Sequence, residues 1–499
     1  MAHNMPPVRM FTQLLMFKPW VPHRMRFWTL MVFIFFYQFT GGIYVASISQ
    51  IQGEFAFWSE DVTMASYCSI IGLNMIFPVL FRWKFFFYTR QMWFVSSIGS
   101  LVCAVAAFYC SVPWLFCGIC LFAGYFKLMG MFATVSNVQL NWTPTRSFGV
   151  FLPIIFMFVL GTLQLANYVS TWVSYYTNWK LMYCVIVVMM LFIDACAYFM
   201  MKPDHRCGPF VPLKGVDWTG HVLWTAVLVA GAYVFNYGEH YDWWESREIC
   251  SATGLFAALL ILALVRMFRL GDKAYITPGA FSHPITYYLW AILAGVNIVL
   301  GVGHYVQSIY INGVLGYDSI NANDLNLPQL AGIVMGAIFT FWTIVKLKWS
   351  LRQFFFVNIL MFAFCAVTMY FIAVPQTPKE YLVVPLFLFG LADVMLEAGA
   401  TYAISQKLPW QYFFMNITIL GFIRCGFGTA AGAAIVEHSF AKYAIEYGVV
   451  DAVRESYGMA AWSLVVLLII ILASNFKSAP QKLLPRWSTV VRLLRHESA

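Results

Sequence analysis

Residues 181–201 read LMYCVIVVMMLFIDACAYFMM, with one charged side chain, Asp194, in the interior. A bilayer core of about 30 Å is crossed by about 20 apolar residues in a helix, which satisfies its own backbone groups in hydrocarbon. The stretch therefore predicts a membrane-spanning helix. Working outward from it, the chain repeats the pattern about fourteen times, from about 27–48 to about 459–476. The 499 residues are 61% hydrophobic and 10% charged. A soluble protein carries about 25% charged residues, so this chain lacks the charge to cover a water-facing surface of its size. Disordered and disulfide-scaffold classes are excluded on the same grounds, since the 11 cysteines are scattered and several lie inside apolar runs.

The charges give an independent test of the span count. With both termini placed in the cytoplasm, about 23 of the 30 Lys and Arg fall on that side. They include Arg24, Arg26, Arg82, Lys84, Arg90, Lys202, Arg206, Lys477 and Lys482, while Glu60, Asp61, Asp242, Glu245, Asp318, Asp324 and Glu455 fall outside. This predicts an even number of spans in the cell inner (plasma) membrane. The net charge of +9 then reflects topology, and no nucleic-acid partner is expected. Breaker-rich linkers at 202–217 and 271–284 divide the chain. The expected fold is all-α and integral to the membrane, with two six-helix lobes and an inserted two-helix hairpin. Its units are residues 1–201, the linkers and hairpin of 202–284, and the second lobe with a cytoplasmic tail, 285–499. Paired six-helix halves rocking about a midplane site are a recurrent transporter plan.

The hairpin carries Phe235-Asn236-Tyr237-Gly238-Glu239-His240-Tyr241-Asp242-Trp243-Trp244-Glu245-Ser246, and Trp179-Lys180 opens the sixth span. Arg82-Trp83-Lys84 through Arg90 form a basic loop between spans two and three. In these elements and in its span pattern the chain resembles the fourteen-span drug:proton antiporters of the major facilitator superfamily (the EmrB/QacA type), as a divergent member. Its first span reads Gln38-Phe39-Thr40-Gly41-Gly42-Ile43-Tyr44, without the acid usual in that family, and the basic loop lacks the family's Gly and Asp. The resemblance implies export of small amphipathic compounds in exchange for protons. It also implies a periplasmic adaptor as a partner that continues the export path.

Five ionisable residues lie deep in spans: Lys127, Asp194, Asp393, Glu397 and Arg424. A charge at the bilayer centre costs about 2.5–3.5 kcal/mol on insertion scales, so each calls for a partner or a water path. Asp393 and Glu397 are four apart and share one helix face. Two carboxylates so close cannot both ionise cheaply in a low dielectric, which suits them to carry a proton. Arg424, in the next span, is the natural counter-ion. Asp393, Glu397 and Arg424, with Asp194 as a further titrating site, are the expected proton-coupling residues. The competing reading is a static buried salt-bridge network that fixes helix packing.

Lys127 is expected to meet an anionic group of the substrate or to tether helices, and Gln38, Gln164 and Asn297 to line the cavity. The run from Gly426 to Ala434 is rich in small residues and is a candidate hinge.

No Walker lysine loop, metal-ligand pair, haem motif or GxSxG motif is found, so no cofactor and no enzymatic activity are expected. The function expected from sequence is a secondary active transporter exporting small amphipathic compounds against protons. The alternatives are a uniporter or importer of an anionic metabolite with Lys127 and Arg424 as clamps, or, in another class, a membrane enzyme or scaffold. The expected partners are a small-molecule substrate, protons and the lipid bilayer.

Overall fold

A computed structural model describes residues 14–43, 48–142, 147–207, 210–408, 410–424 and 427–473. Tyr44, Gly208, Pro209, Gly426, Lys477, Lys482 and the rest of the C-terminal tail lie outside the described residues. The first lobe contains α1 (His23–Ile43), a short α2 (Ile48–Phe55), and α3 (Ser59–Met75) running on into α4 (Phe77–Phe86). It continues through α5 (Thr89–Tyr109), α6 (Pro113–Trp142), α7 (Phe148–Tyr176) and α8 (Leu181–Met200). The inserted hairpin is α9 (Trp218–Tyr237) and α10 (Arg247–Leu270). The second lobe holds α11 (Pro284–Gly301), α12 (Ser319–Asp324), α13 (Asn326–Phe341), α14 (Leu351–Ile372), α15 (Lys379–Lys407), α16 (Trp410–Arg424), α17 (Phe427–Tyr447) and α18 (Val449–Ala473).

Among the described residues, 13 helical segments are long and apolar enough to cross a membrane. The 21-residue α1 packs in the same bundle. The protein is multi-pass and all-α, built as two six-helix lobes with an inserted hairpin.

Several spans are longer than their hydropathy suggests. α11 continues in π-helical turns over Val302–Val306 and Ile309–Val314, so that span reaches Val314. The segment 437–458 is helix on both sides of Gly448. Gly448 turns the chain with φ +94°, a left-handed conformation that glycine adopts without steric cost. The charges of 437–458 thus lie on α17 and α18.

Both lobes are held by the same device. In the first, a Cβ at Gly72 of α3 would overlap the Leu121 carbonyl of α6, and one at Gly124 of α6 would overlap that of Ser69 on α3. In the second, Gly332 of α13 lies against the Phe387 carbonyl of α15, and Gly390 of α15 against that of Gln329 on α13. Absent side chains let the two backbones touch, which is how membrane helices gain packing energy without a hydrophobic driving force. This contact fixes the rotation of α15 and with it the direction of Asp393, three residues beyond Gly390.

Candidate functional site

From Leu391 to Ala400 of α15 every residue is buried except Asp393 and Glu397, which are half-buried. Four residues make just over one helical turn, so both carboxylates project from one face of α15. Arg424, the last residue of α16 and itself buried, reaches both. Its Nη2 donates to Asp393 Oδ1 at 2.5 Å, and its Nη1 pairs with Glu397 Oε1. A planar guanidinium presents donors in a fixed fork and can hold two carboxylates at once.

α16 ends at Arg424 and α17 begins at Phe427, inside one apolar span of residues 412–447. The Asn297 side-chain amide of α11 donates to the Ile423 carbonyl, next to Arg424. Gly428 and Gly432 of α17 pack against the same Asn297. Asn297 therefore sits beneath the arginine as its support. His304, in the π-helical turns of α11, lies close enough to Asp393 and Arg424 to feel their charges, and its ring is 6.4 Å from that of Phe389. Its side chain is exposed. The sequence carried no sign of this: His304 has no acidic or basic neighbour along its own span.

The other deep charges stand apart from this cluster. Lys127 of α6 reaches over Gly41 of α1, where a side chain larger than hydrogen would collide with its amine. Among the described residues no carboxylate lies within 4.0 Å of that amine. Gln38, one turn before Gly41, is buried and donates to the Met131 sulfur, one turn after Lys127. Lys127 and Gln38 therefore share the α1–α6 seam. Asp194 of α8 accepts from Ser97 of α5, within the first lobe.

Gln164 of α7 lies where the lobes meet. Its amide donates to Asn326 Oδ1 at 2.8 Å and to Gln329 Oε1 at 3.0 Å, both on α13. Asn326 donates to Asn323 at 2.8 Å, and Asn323 to the Tyr168 carbonyl at 2.9 Å. This amide chain closes the lobes on the face that carries Asp318 and Asp324. On the opposite, basic face a cleft of about 440 Å³ separates Ser147 and Gly149 of the first lobe from Ile344, Val345, Lys348, Trp349 and Tyr402 of the second. Tyr402 is on α15, five residues past Glu397. No group of three or more His, Cys, Asp or Glu side chains that could hold a metal occurs among the described residues.

No family model matches the chain, and no curated protein matches it in sequence. Its fold matches solved structures. A mutant of the peptide transporter POT in complex with alafosfalin gives a TM-score of 0.62 at 15% identity, covering 89% of this chain and 93% of that one. The same mutant without that compound gives 0.61 at 15% identity, with the same coverage. Identity this low establishes the fold alone, the one these solved structures share with this chain.

It also corrects the sequence-based assignment. The solved proteins whose architecture this chain reproduces along most of its length are peptide transporters, so the EmrB/QacA assignment is withdrawn, together with antiport, multidrug efflux and export. The motifs behind that assignment have local structural tasks. Trp179 Nε1 donates to Glu54 at 2.7 Å, and Lys180 pairs with the same carboxylate at 2.5 Å. Asn236 of the hairpin donates to the Glu60 carbonyl at 2.7 Å, and Trp243 Nε1 to Glu239 at 2.7 Å. Residues that close a turn or seat a hairpin can recur wherever that geometry does. The periplasmic adaptor rested on the same resemblance and is not carried further.

Proposed function

We propose that the protein is a proton-coupled symporter that imports a small peptide-like solute by alternating access. The observation that carries the reading is Arg424 held between Asp393 and Glu397, on the one face of a buried helix run that stays partly open. Protonation of either carboxylate removes one of the two charges that hold the guanidinium. The released arginine, or the neutralised acid, is then available to a substrate group. Coupling follows because the empty site carries its lowest cost when fully paired, and a proton and a substrate together can replace that pairing.

The substrate class rests on two further observations. Lys127 is a deep cation with no carboxylate partner among the described residues, which suits a substrate carboxylate. Asp393 and Glu397 suit an ammonium. A small zwitterion such as a short peptide offers both, and the solved structures of matching fold are peptide transporters. Asp194, bonded to Ser97, is assigned a secondary role in proton response. Gln38 and Asn297 are assigned the support of Lys127 and Arg424, and Gln164 the contact between lobes.

We take residues 1–201 and 285–499 as the moving lobes and 202–284 as the linkers and hairpin. The basic face is placed in the cytoplasm of a plasma-membrane protein, with both termini there. In that orientation the amide chain closes the outside and the cleft opens inward.

The test is uptake of a labelled dipeptide into proteoliposomes under an inward proton gradient. Gradient-driven accumulation is expected, abolished by a protonophore and lost in Glu397→Gln and Asp393→Asn. Uptake indifferent to the gradient in the unaltered protein would overturn the coupling, and absence of peptide exchange would overturn the substrate class.

A further inference from the structure

The inserted hairpin touches both lobes, but in two different ways. α9 is bonded to the first lobe near both of its ends. At its end, the Asn236 amide donates to the Glu60 carbonyl at 2.7 Å and the Tyr237 hydroxyl to Asp61 Oδ1 at 2.5 Å, both on α3. Near its start, the Tyr125 hydroxyl of α6 is hydrogen-bonded to His221 Nε2 at 3.1 Å and to Thr225 Oγ1 at 3.3 Å. The linker after α10 adds a bond from the Tyr275 hydroxyl to the Met75 carbonyl of α3. Bonds at both ends of a helix fix its position and its rotation.

Towards the second lobe the hairpin presents rings. Phe427, the first residue of α17, has its ring 5.4 Å from that of Phe235 on α9 and 5.9 Å from that of Phe256 on α10. Apolar contact is non-directional, so such faces can slide. A polar contact with this lobe is made at the hairpin tip, where His438 Nδ1 of α17 donates to Glu239 Oε2 at 3.0 Å. The same oxygen accepts from Trp243 Nε1 at 2.7 Å. The tip is tightly wound: Asp242 and Trp243 have φ of +53° and +54°, a conformation that a bulky residue keeps only where its surroundings hold it. The hold is the Trp243 ring itself, which covers Gly238 so closely that an added Cβ would lie 2.8 Å from it. The His438 side chain is 59% exposed and that of Glu239 28%, and a pair so open to water is weak enough to part and re-form.

We propose that the hairpin is a strap that moves as part of the first lobe, and that Glu239 and His438 form a catch that holds the acidic face closed. When that face opens, the bonds to α3 and α6 stay made, Phe427 slides along Phe235 and Phe256, and the catch parts. The strap rests on the alternating-access part of the proposed function and not on a peptide as the solute.

The experiment measures distances between pairs of spin labels by pulsed electron spin resonance in lipid nanodiscs, with the exposed Cys184 and Cys250 replaced by serine. One pair, Trp244→Cys with Lys442→Cys, joins the tip to α17; the other, Ser59→Cys with Trp244→Cys, joins the tip to α3. All three positions are exposed and leave Glu239 and His438 in place. Addition of dialanine is expected to change the 244–442 distance and to leave the 59–244 distance single and constant. His438→Ala, which removes an exposed side chain, should lengthen the 244–442 distance without solute and again leave 59–244 unmoved. A 59–244 distance that changes along with 244–442 would overturn the strap, and a 244–442 distance indifferent to His438→Ala would overturn the catch, with symport standing in both cases. If His438→Ala lengthens 244–442 but dialanine changes nothing and is not taken up, the strap stands and the peptide reading fails.

Discussion

At the scale of single residues, the absence of a side chain at Gly41 matters as much as the charge of Lys127. A methyl group there would occupy the position of the lysine amine, which can only swing aside because it ends a flexible chain. Gly41→Ala is therefore expected to raise the peptide KM severalfold with little loss of thermal stability. Lys127→Gln, which removes a charged contact worth about 1.5–3 kcal/mol, should raise KM about tenfold or more. Equal KM values in all three proteins would take Lys127 out of the substrate site. Asp217, just before α9, is a residue with a structural role. Burial alone would raise its carboxyl, but the Arg266 guanidinium and the Gly220 and Tyr275 N–H groups outweigh this and hold it below the usual carboxylate range. A carboxyl held low in the folded state stabilises the fold above its unfolded value of about 3.9, and that contribution disappears as pH falls through the folded value. Asp217→Asn should lower the melting temperature at pH 7 and leave a smaller further drop on acidification, read by intrinsic tryptophan fluorescence in detergent.

At the scale of elements, the paired glycine contacts make α3 with α6, and α13 with α15, close two-helix units. Side chains on the remaining faces are then free to serve the site. Gly390→Ala puts a methyl group into the Gln329 backbone carbonyl, which cannot yield as a side-chain tip would. A cost of about 1–3 kcal/mol is expected, seen as a lower melting temperature. Proton-driven uptake should fall more than peptide exchange, because α15 would turn Asp393 and Glu397 away from Arg424. Gly118→Ala, where nothing stands within 4 Å of an added Cβ, is the control and should change neither. The support of Arg424 belongs to this scale too. Asn297 of α11 donates to the carbonyl of Ile423 beside it. Asn297→Ala is therefore a disturbance of position, not of charge.

At the scale of the whole molecule, the lobes are joined by amides on the acidic face and separated by a cleft on the basic face. Transport by rocking requires the amide chain to part in every cycle. Each such bond inside a membrane protein is worth about 0.6 kcal/mol, strong enough to bias one state and weak enough to open. Gln164→Cys with Gln329→Cys, joined by a short bifunctional thiol reagent, should stop peptide uptake. Treatment of either single variant should leave it running. Unchanged uptake in the joined protein would exclude this seam as a moving contact.

What the sequence determined by itself is what depends on neighbours along one helix or on counts along the chain. Apolar runs set the spans, the segregation of Lys and Arg set the two faces, and the four-residue spacing put Asp393 and Glu397 on one side. The pairing of Arg424 with that side was also within reach, since it is the nearest deep cation along the chain. The tertiary structure alone decided which residues meet across helices. Gln164 and Asn326 are 162 positions apart in number, and Gln38 and Met131 are 93 apart, so no periodicity connects them. Gln164 and Asn326 carry the same amide chemistry as residues that would line a cavity, and only packing distinguished a bond between lobes from a wet wall. Family motifs misled for a related reason: short turn-closing residues report local geometry, whereas the fold is set by how fourteen helices share a limited set of faces.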